Sequence, residues 1–170
     1  MLEMPSTYEE KHPLEFEPIQ RYFAIRELHP SDALACQVFF QRLDWFDVRS
    51  RYSSRHFHFD LFLPKPSAGE KAVAFIAIDP AQAILGVVNV VGLSSSSAEA
   101  AIIARSDRKR CGIGRALISH AIDRARHGGW SELIGYVEPG NRVLLRFAHA
   151  MGFRMMGQDE YFIELSRPLF

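Results

Sequence analysis

The segment Ser106–His127, SDRKRCGIGRALISHAIDRARH, constrains the fold more than any other stretch of the chain. It opens with basic residues, turns on Gly112 and Gly114, and continues with apolar Ile113, Ala116, Leu117, Ala121, Ile122 and Ala125. Intervals of three and four predict an amphipathic helix. Just upstream, Ala98–Ala104 (AEAAIIA) is an apolar run broken only by Glu99, which predicts a strand. A strand feeding a glycine loop and then a helix leaves unpaired backbone N–H groups where the helix dipole also favours negative charge. With Lys109, Arg110 and Arg115 around it, the loop reads as a pyrophosphate cradle.

Two common nucleotide motifs are absent. No GxxxxGK[ST] string occurs, so this is no Walker A loop. A dinucleotide fingerprint needs a third glycine where Leu117 stands, and an acidic residue at the end of the next strand. Glu132 begins that strand instead, and Glu138 lies in a Glu-Pro-Gly turn.

Zero formal net charge argues against broad binding of nucleic acid or an anionic membrane, which ordinarily shows as a basic excess. Charge is local, as in the 105–115 cluster. Cys36 and Cys111 form no disulfide framework and no metal spacing, which suits a reduced, cytoplasmic setting. No apolar run approaches the roughly 18 residues of a membrane span, and no secretory pattern opens the chain. His56 and His58 alternate and would share one face of a strand, but no third ligand stands at a recognisable spacing, so no metal is expected.

Residues 1–18, acidic and proline-bearing, read as a tail, and 19–170 as one domain. The expected elements begin with a strand over Gln20–Leu28, a capped helix over Ala33–Leu43, and a second short helix within Asp44–Phe59. Pro64–Gly69 is a loop. Strands follow at Lys71–Ile78, Ala83–Leu93 and Ala98–Ala104, with the serine run Ser94–Ser97 as a hairpin loop. After the glycine-loop helix, Gly128-Gly129 form its C-cap. The series ends with a strand at Ser131–Val137, a helix at Asn141–Met151, and a hairpin of Phe153–Met156 with Glu160–Leu165.

Lys109-Arg110-Cys111-Gly112-Ile113-Gly114 resembles the [RQ]xxGx[GA] acetyl-CoA loop of the GNAT superfamily of N-acetyltransferases, with Lys109 in place of the usual Arg or Gln. Glu138–Phe153 resembles that family's Asn-bearing helix ending in Gly-Phe. More narrowly, AEAAIIARSDRKRCGIGRALI and GNRVLLRFAHAMGF are similar to the acetyltransferase domain of Pat-type bacterial protein lysine acetyltransferases. The resemblance implies an α/β (α+β) fold: a mixed, mostly antiparallel central sheet of six to seven strands flanked by about four helices.

It also implies acetyl-CoA as co-substrate and direct transfer to a primary amine. The pyrophosphate would lie on backbone amides from Arg110 to Arg115, and the pantetheine arm along the main chain of Ile102, Ile103 and Ala104. Asn141 would contact the cofactor arm, although an N-cap is an equally good reason for Asn there. Glu99 would be the general base, against the alternative of a strand-edge Glu in water. Cys111 is read as a loop residue without a catalytic role. Where many relatives carry a Tyr that protonates the departing thiolate, this chain has Ala148, leaving water or a group such as Tyr136 to serve. Segments 44–59 and 94–97 hold Asp44 and Asp47 against Arg49, Arg51 and Arg55, a rim that suits a protein lysine better than a polyamine. The rival readings are a catalytically weak acyl-CoA-binding sensor or interaction module, and a small-molecule amine acetyltransferase.

Overall fold

A computed structural model describes residues 22–51, 58–62 and 71–170. The expected 1–18 tail and Pro64–Gly69 loop, and His56, lie outside the described residues. Seven strands form one sheet in the order β1-β2-β3-β4-β5-β7-β6. They are β1 (Ala24–Glu27), β2 (Ala72–Ile78), β3 (Ile84–Gly92), β4 (Ser97–Ala104), β5 (Glu132–Val137), β6 (Arg154–Gln158) and β7 (Ile163–Pro168). Helices α1 (Ala33–Gln41) and α2 (Trp45–Arg51) follow β1, α3 (Ile113–His127) joins β4 to β5, and α4 (Arg142–Ala150) joins β5 to β6. All neighbours pair antiparallel except β4 with β5. The fold is the mixed, mostly antiparallel α/β architecture that the sequence led us to expect.

Strand alternation divides the core in two. One cluster joins Val88, Val90, Ala98, Ala100, Leu133 and Val137 of the sheet to Ile113, Leu117, Ala121 and Ala125 of α3. The other joins Ala74, Ile76, Val87 and Ile103 to Cys36 and Phe39 of α1 and Val48 of α2. Central strands buried on both faces read as almost unbroken apolar runs, which is why β2 and β3 carry so little alternation. The exception is Asn89, 3% exposed in the middle of β3. Its amide donates to the carbonyl of Phe62 and its Oδ1 accepts from Arg51 Nη2 at 2.8 Å, so the end of α2 is pinned to the sheet. Burial pushes the Cys36 thiol up to about 12, which makes it an inert core residue.

The first helix is fixed at its start by Asp32. Its carboxylate accepts from His29 N–H at 2.9 Å and from both terminal nitrogens of Arg26, at 2.7 and 2.8 Å. The Arg26 guanidinium holds the Asp32 carboxyl at about 2, below its ordinary 3.8. A depressed carboxylate pKa stabilises the fold above the unfolded value and loses that contribution as pH falls through the folded value. Asp32→Asn is therefore expected to cost about 1–2 kcal/mol at pH 7, discounted for the solvent around Arg26. The difference from the parent should vanish between pH 4 and 2 in urea melts taken across that range.

Two boundaries differ from expectation. The helix expected somewhere in Asp44–Phe59 is the seven-residue α2, with a separate 3-10 turn at Phe59–Leu61. The last hairpin sits later than its apolar pattern suggested. Asp159 Oδ1 accepts from the N–H groups of both Tyr161 and Phe162 at 2.7 Å, which makes those residues turn rather than strand.

Candidate functional site

The parallel β4–β5 ladder has three register pairs, Ser97–Glu132, Ala98–Leu133 and Glu99–Ile134, and then stops. Strand β4 continues to Ala104, paired on its other side with β3 throughout. The sheet thus forks at Glu99, and among the described residues one main-chain edge of Ala100–Ala104 has no strand beside it. Ile102 and Ala104 face α3, whereas Ile103 points into the cluster beneath α1. Of the three β4 residues expected to line the cofactor arm, Ile103 can therefore offer only its main chain.

The open end of the fork leads to the glycine loop. Gly112 caps α3 in a left-handed conformation, φ +80°, which L side chains rarely adopt. A Cβ there would meet nothing within 4 Å, so backbone conformation is what demands glycine. Gly114 is different. A Cβ on it would point between Phe147 Cζ at 3.5 Å and Ile102 Cδ1 at 3.8 Å, into the gap between β4 and α4. Ile113 is 3% exposed and packs in the core, so its contribution to a ligand would be its N–H in the first turn of α3. Cys111 is partly buried against the same core, its Sγ 3.6 Å from the Lys109 carbonyl.

The basic cluster is only partly available to an anion. Arg105 is buried and makes a bidentate pair with Asp107 at 2.6 and 2.7 Å. Lys109 Nζ lies 2.8 Å from Asp47 of α2, whose carboxylate also accepts from Ser106 Oγ at 2.6 Å. The Asp44 N–H donates in turn to Ser106 Oγ at 2.8 Å, so the first turn of α2 is tied directly to the loop. Arg108, Arg110 and Arg115 are exposed and make no ion pair among the described residues. Three exposed guanidiniums, the N-terminus of α3 and a sheet edge with unpaired main chain suit a ligand carrying phosphates on a slender arm.

Asn141 caps α4: its Oδ1 accepts from Leu144 N–H at 3.1 Å. Asn141→Ala is expected to lower stability by about 1 kcal/mol, the usual size of a lost cap, as read from thermal denaturation. The sequence could not separate this role from contact with a ligand, and the cap is the one that the geometry displays.

Glu99 is half-buried at the apex of the fork, on the face beneath α2 rather than the α3 face. Ala148 is 8% exposed and packs into the α3-side cluster together with Val137. Tyr136 neighbours Val137 on β5 and so lies on the opposite face of the sheet from Ala148, on the same face as Glu99. It does not occupy the place of the hydroxyl that Ala148 lacks. Ser94–Ser97, expected to flank an acceptor groove, closes a turn against Trp130 and Ser131 on the paired side of the fork. A cavity on the Glu99 face of the sheet is lined by Tyr136 of β5, Glu164 of β7, and Gly157, Gln158, Asp159 and Phe162 at the turn between β6 and β7, none of them singled out from the sequence except Tyr136. Their one signal was Asp159, a turn former before two aromatic residues.

Known proteins share this fold. The GNAT domain of S. lividans PAT superposes with a TM-score of 0.75 over 85% of this chain and 89% of its own, at 16% identity. The ribosomal-protein-S18-alanine N-acetyltransferase of Escherichia coli gives 0.66 over 86% and 94%, at 19% identity. The spermidine/spermine N-acetyltransferase SpeG of Vibrio cholerae gives 0.65 over 89% and 95%, at 18% identity. At such identities the likeness is one of fold. The profile of the Acetyltransferase (GNAT) family matches residues 24–153, most of the chain and the whole of the forked site. The protein therefore belongs to the GNAT family of acetyltransferases, enzymes that move an acyl group from acyl-CoA to an amine.

Proposed function

We propose that this acetyltransferase uses acetyl-CoA to acetylate a primary amine, in particular the side chain of a protein lysine, with Glu99 as general base. The observation that carries this reading is the position of Glu99, where the β4–β5 ladder ends and the fork opens. Acetyl-CoA supplies the activated acyl group. Arg108, Arg110, Arg115 and the N–H groups opening α3 hold its phosphates, and the unpaired edge of Ala100–Ala104 aligns its arm. Glu99 faces away from α3, towards the side from which an acceptor can enter.

A lysine amine has an unperturbed pKa near 10.4 and reaches a neutral site as an ammonium, which has no lone pair for attack. A carboxylate beside the acyl carbon takes that proton, directly or through one water. Alignment of the two substrates supplies much of the remaining acceleration. The likeness to the S. lividans PAT domain supports a protein acceptor, while the match to SpeG keeps a small amine as the competing choice. The cytoplasm, where acetyl-CoA and lysine-bearing enzymes meet, is the proposed setting.

The test is acetyl-CoA consumption with lysate proteins and with small amines, followed by mass spectrometry of the acetylated products. New acetyl-lysine sites that depend on the enzyme support the proposal. Acetylated polyamine with no modified protein would replace its acceptor. Alanine at position 148, buried on the α3 side, favours one rival, a binding module of low turnover. Calorimetric binding of acetyl-CoA with no product from any amine would establish that rival.

A further inference from the structure

Glu99 and its ladder partner Ile134 point to the same face of the sheet, and the next β5 side chain on that face is Tyr136. Opposite it, across the β5–β7 ladder, stands Glu164. The core packed beneath α1 and α2 draws on β2, β3 and β4, so among the described residues no core cluster covers this part of the sheet. Tyr136 is 45% exposed and walls a cavity of about 300 Å³ completed by Gly157, Gln158, Asp159, Phe162 and Glu164.

Size and charge both limit the occupant. This volume is at the floor of the range for small-molecule sites, and it suits a side-chain-sized group rather than a bulky multi-ring substrate. Two aromatic side chains face the space, and its charged lining residues are both acids. Asp159 Oδ1 is engaged by two backbone N–H groups of its own turn. Glu164 has no such partner among the described residues. Burial pushes the Tyr136 phenol up, and the negative charges of Glu164 and Glu99 push it further. The hydroxyl thus stays protonated at neutral pH, within the field of two carboxylates that a cation between them would satisfy.

We propose that Tyr136 and Glu164 determine acceptor specificity, receiving the substrate as an alkylammonium on the Tyr136 ring and Glu164 carboxylate before its nitrogen reaches Glu99. This rests on the acyl-transfer reading above and adds to it the chemistry of the acceptor. Aromatic faces attract a cation, and the methylene stem behind an ammonium packs on the same surface. A lysine side chain and a free polyamine offer the same group; both have the required charge and width.

The experiment is steady-state kinetics with a lysine peptide and with spermidine as parallel acceptors, for the parent protein, Glu164→Gln, Tyr136→Ala and Tyr136→Phe. Glu164→Gln and Tyr136→Ala are expected to raise the acceptor KM roughly five- to tenfold, the scale of a half-exposed cation–π contact or ion pair, and to leave the KM for acetyl-CoA unchanged. The Glu164→Gln effect should shrink as salt is added. Tyr136→Phe keeps the ring and should stay near the parent, which separates substrate contact from a loss of folding. The acceptor with the larger kcat/KM in the parent identifies the source of the alkylammonium. Unchanged acceptor KM in both Glu164→Gln and Tyr136→Ala would overturn the proposal and leave the acetyltransferase reading intact. A parent protein that binds acetyl-CoA but acetylates neither acceptor would remove both.

Discussion

Glu99→Gln is expected to bind acetyl-CoA like the parent protein and to lose on the order of 10²–10⁴ in turnover at neutral pH, the range for a lost general base. Glutamine keeps the size of the side chain, so the end of the β4–β5 ladder should be undisturbed. The loss should narrow as pH rises, because a growing fraction of the acceptor amine then arrives already deprotonated. A fixed deficit at every pH would instead signal misplacement of the acceptor. Paired measurements supply the answer: calorimetric affinity for acetyl-CoA, and kcat/KM for the acceptor from pH 6 to 10. Near-normal turnover at pH 7 would take Glu99 out of the mechanism.

Gly114→Val is expected to abolish measurable acetyl-CoA binding while the circular dichroism spectrum stays that of the parent. The Cβ alone would sit at ordinary contact distance from Phe147, so Gly114→Ala should fold well and gain from the better helix propensity of alanine. The two methyl groups of valine go further into the space between Ile102 and Phe147, through which the proposed binding mode routes the ligand arm from the glycine loop to the fork. The alanine variant thus separates a blocked passage from a damaged helix. Binding by Gly114→Val as tight as the parent's would place the cofactor elsewhere.

What the sequence made legible was local. The helix spacing of Ile113, Leu117, Ala121 and Ala125 and the loop glycines could be read directly, because both are dictated by neighbours within a turn or two. Asn141 was equally legible as a cap. The fork was not. It depends on where β5 stops pairing with β4, a contact between segments more than thirty residues apart, and no residue in Ala98–Ala104 announces that its ladder will end at Glu99. The engagement of Lys109 by Asp47 was invisible for the same reason: the pair spans 62 positions. The turn beside the Tyr136–Glu164 cavity was not legible because Tyr161 and Phe162 look like strand residues until the side chain of Asp159 holds them in a turn.

A strand edge on the outside of a protein is a hazard, since its free N–H and C=O groups will pair with any extended chain that reaches them. Here the edge of Ala100–Ala104 is buried or half-buried, beyond the Glu99–Ile134 pair where β4 and β5 part. A foreign β-strand entering there would have to bring side chains on both of its faces into the angle between β4 and β5. A slender arm carrying its own amides needs less room. Where two strands part therefore bears on which extended partners that edge can take.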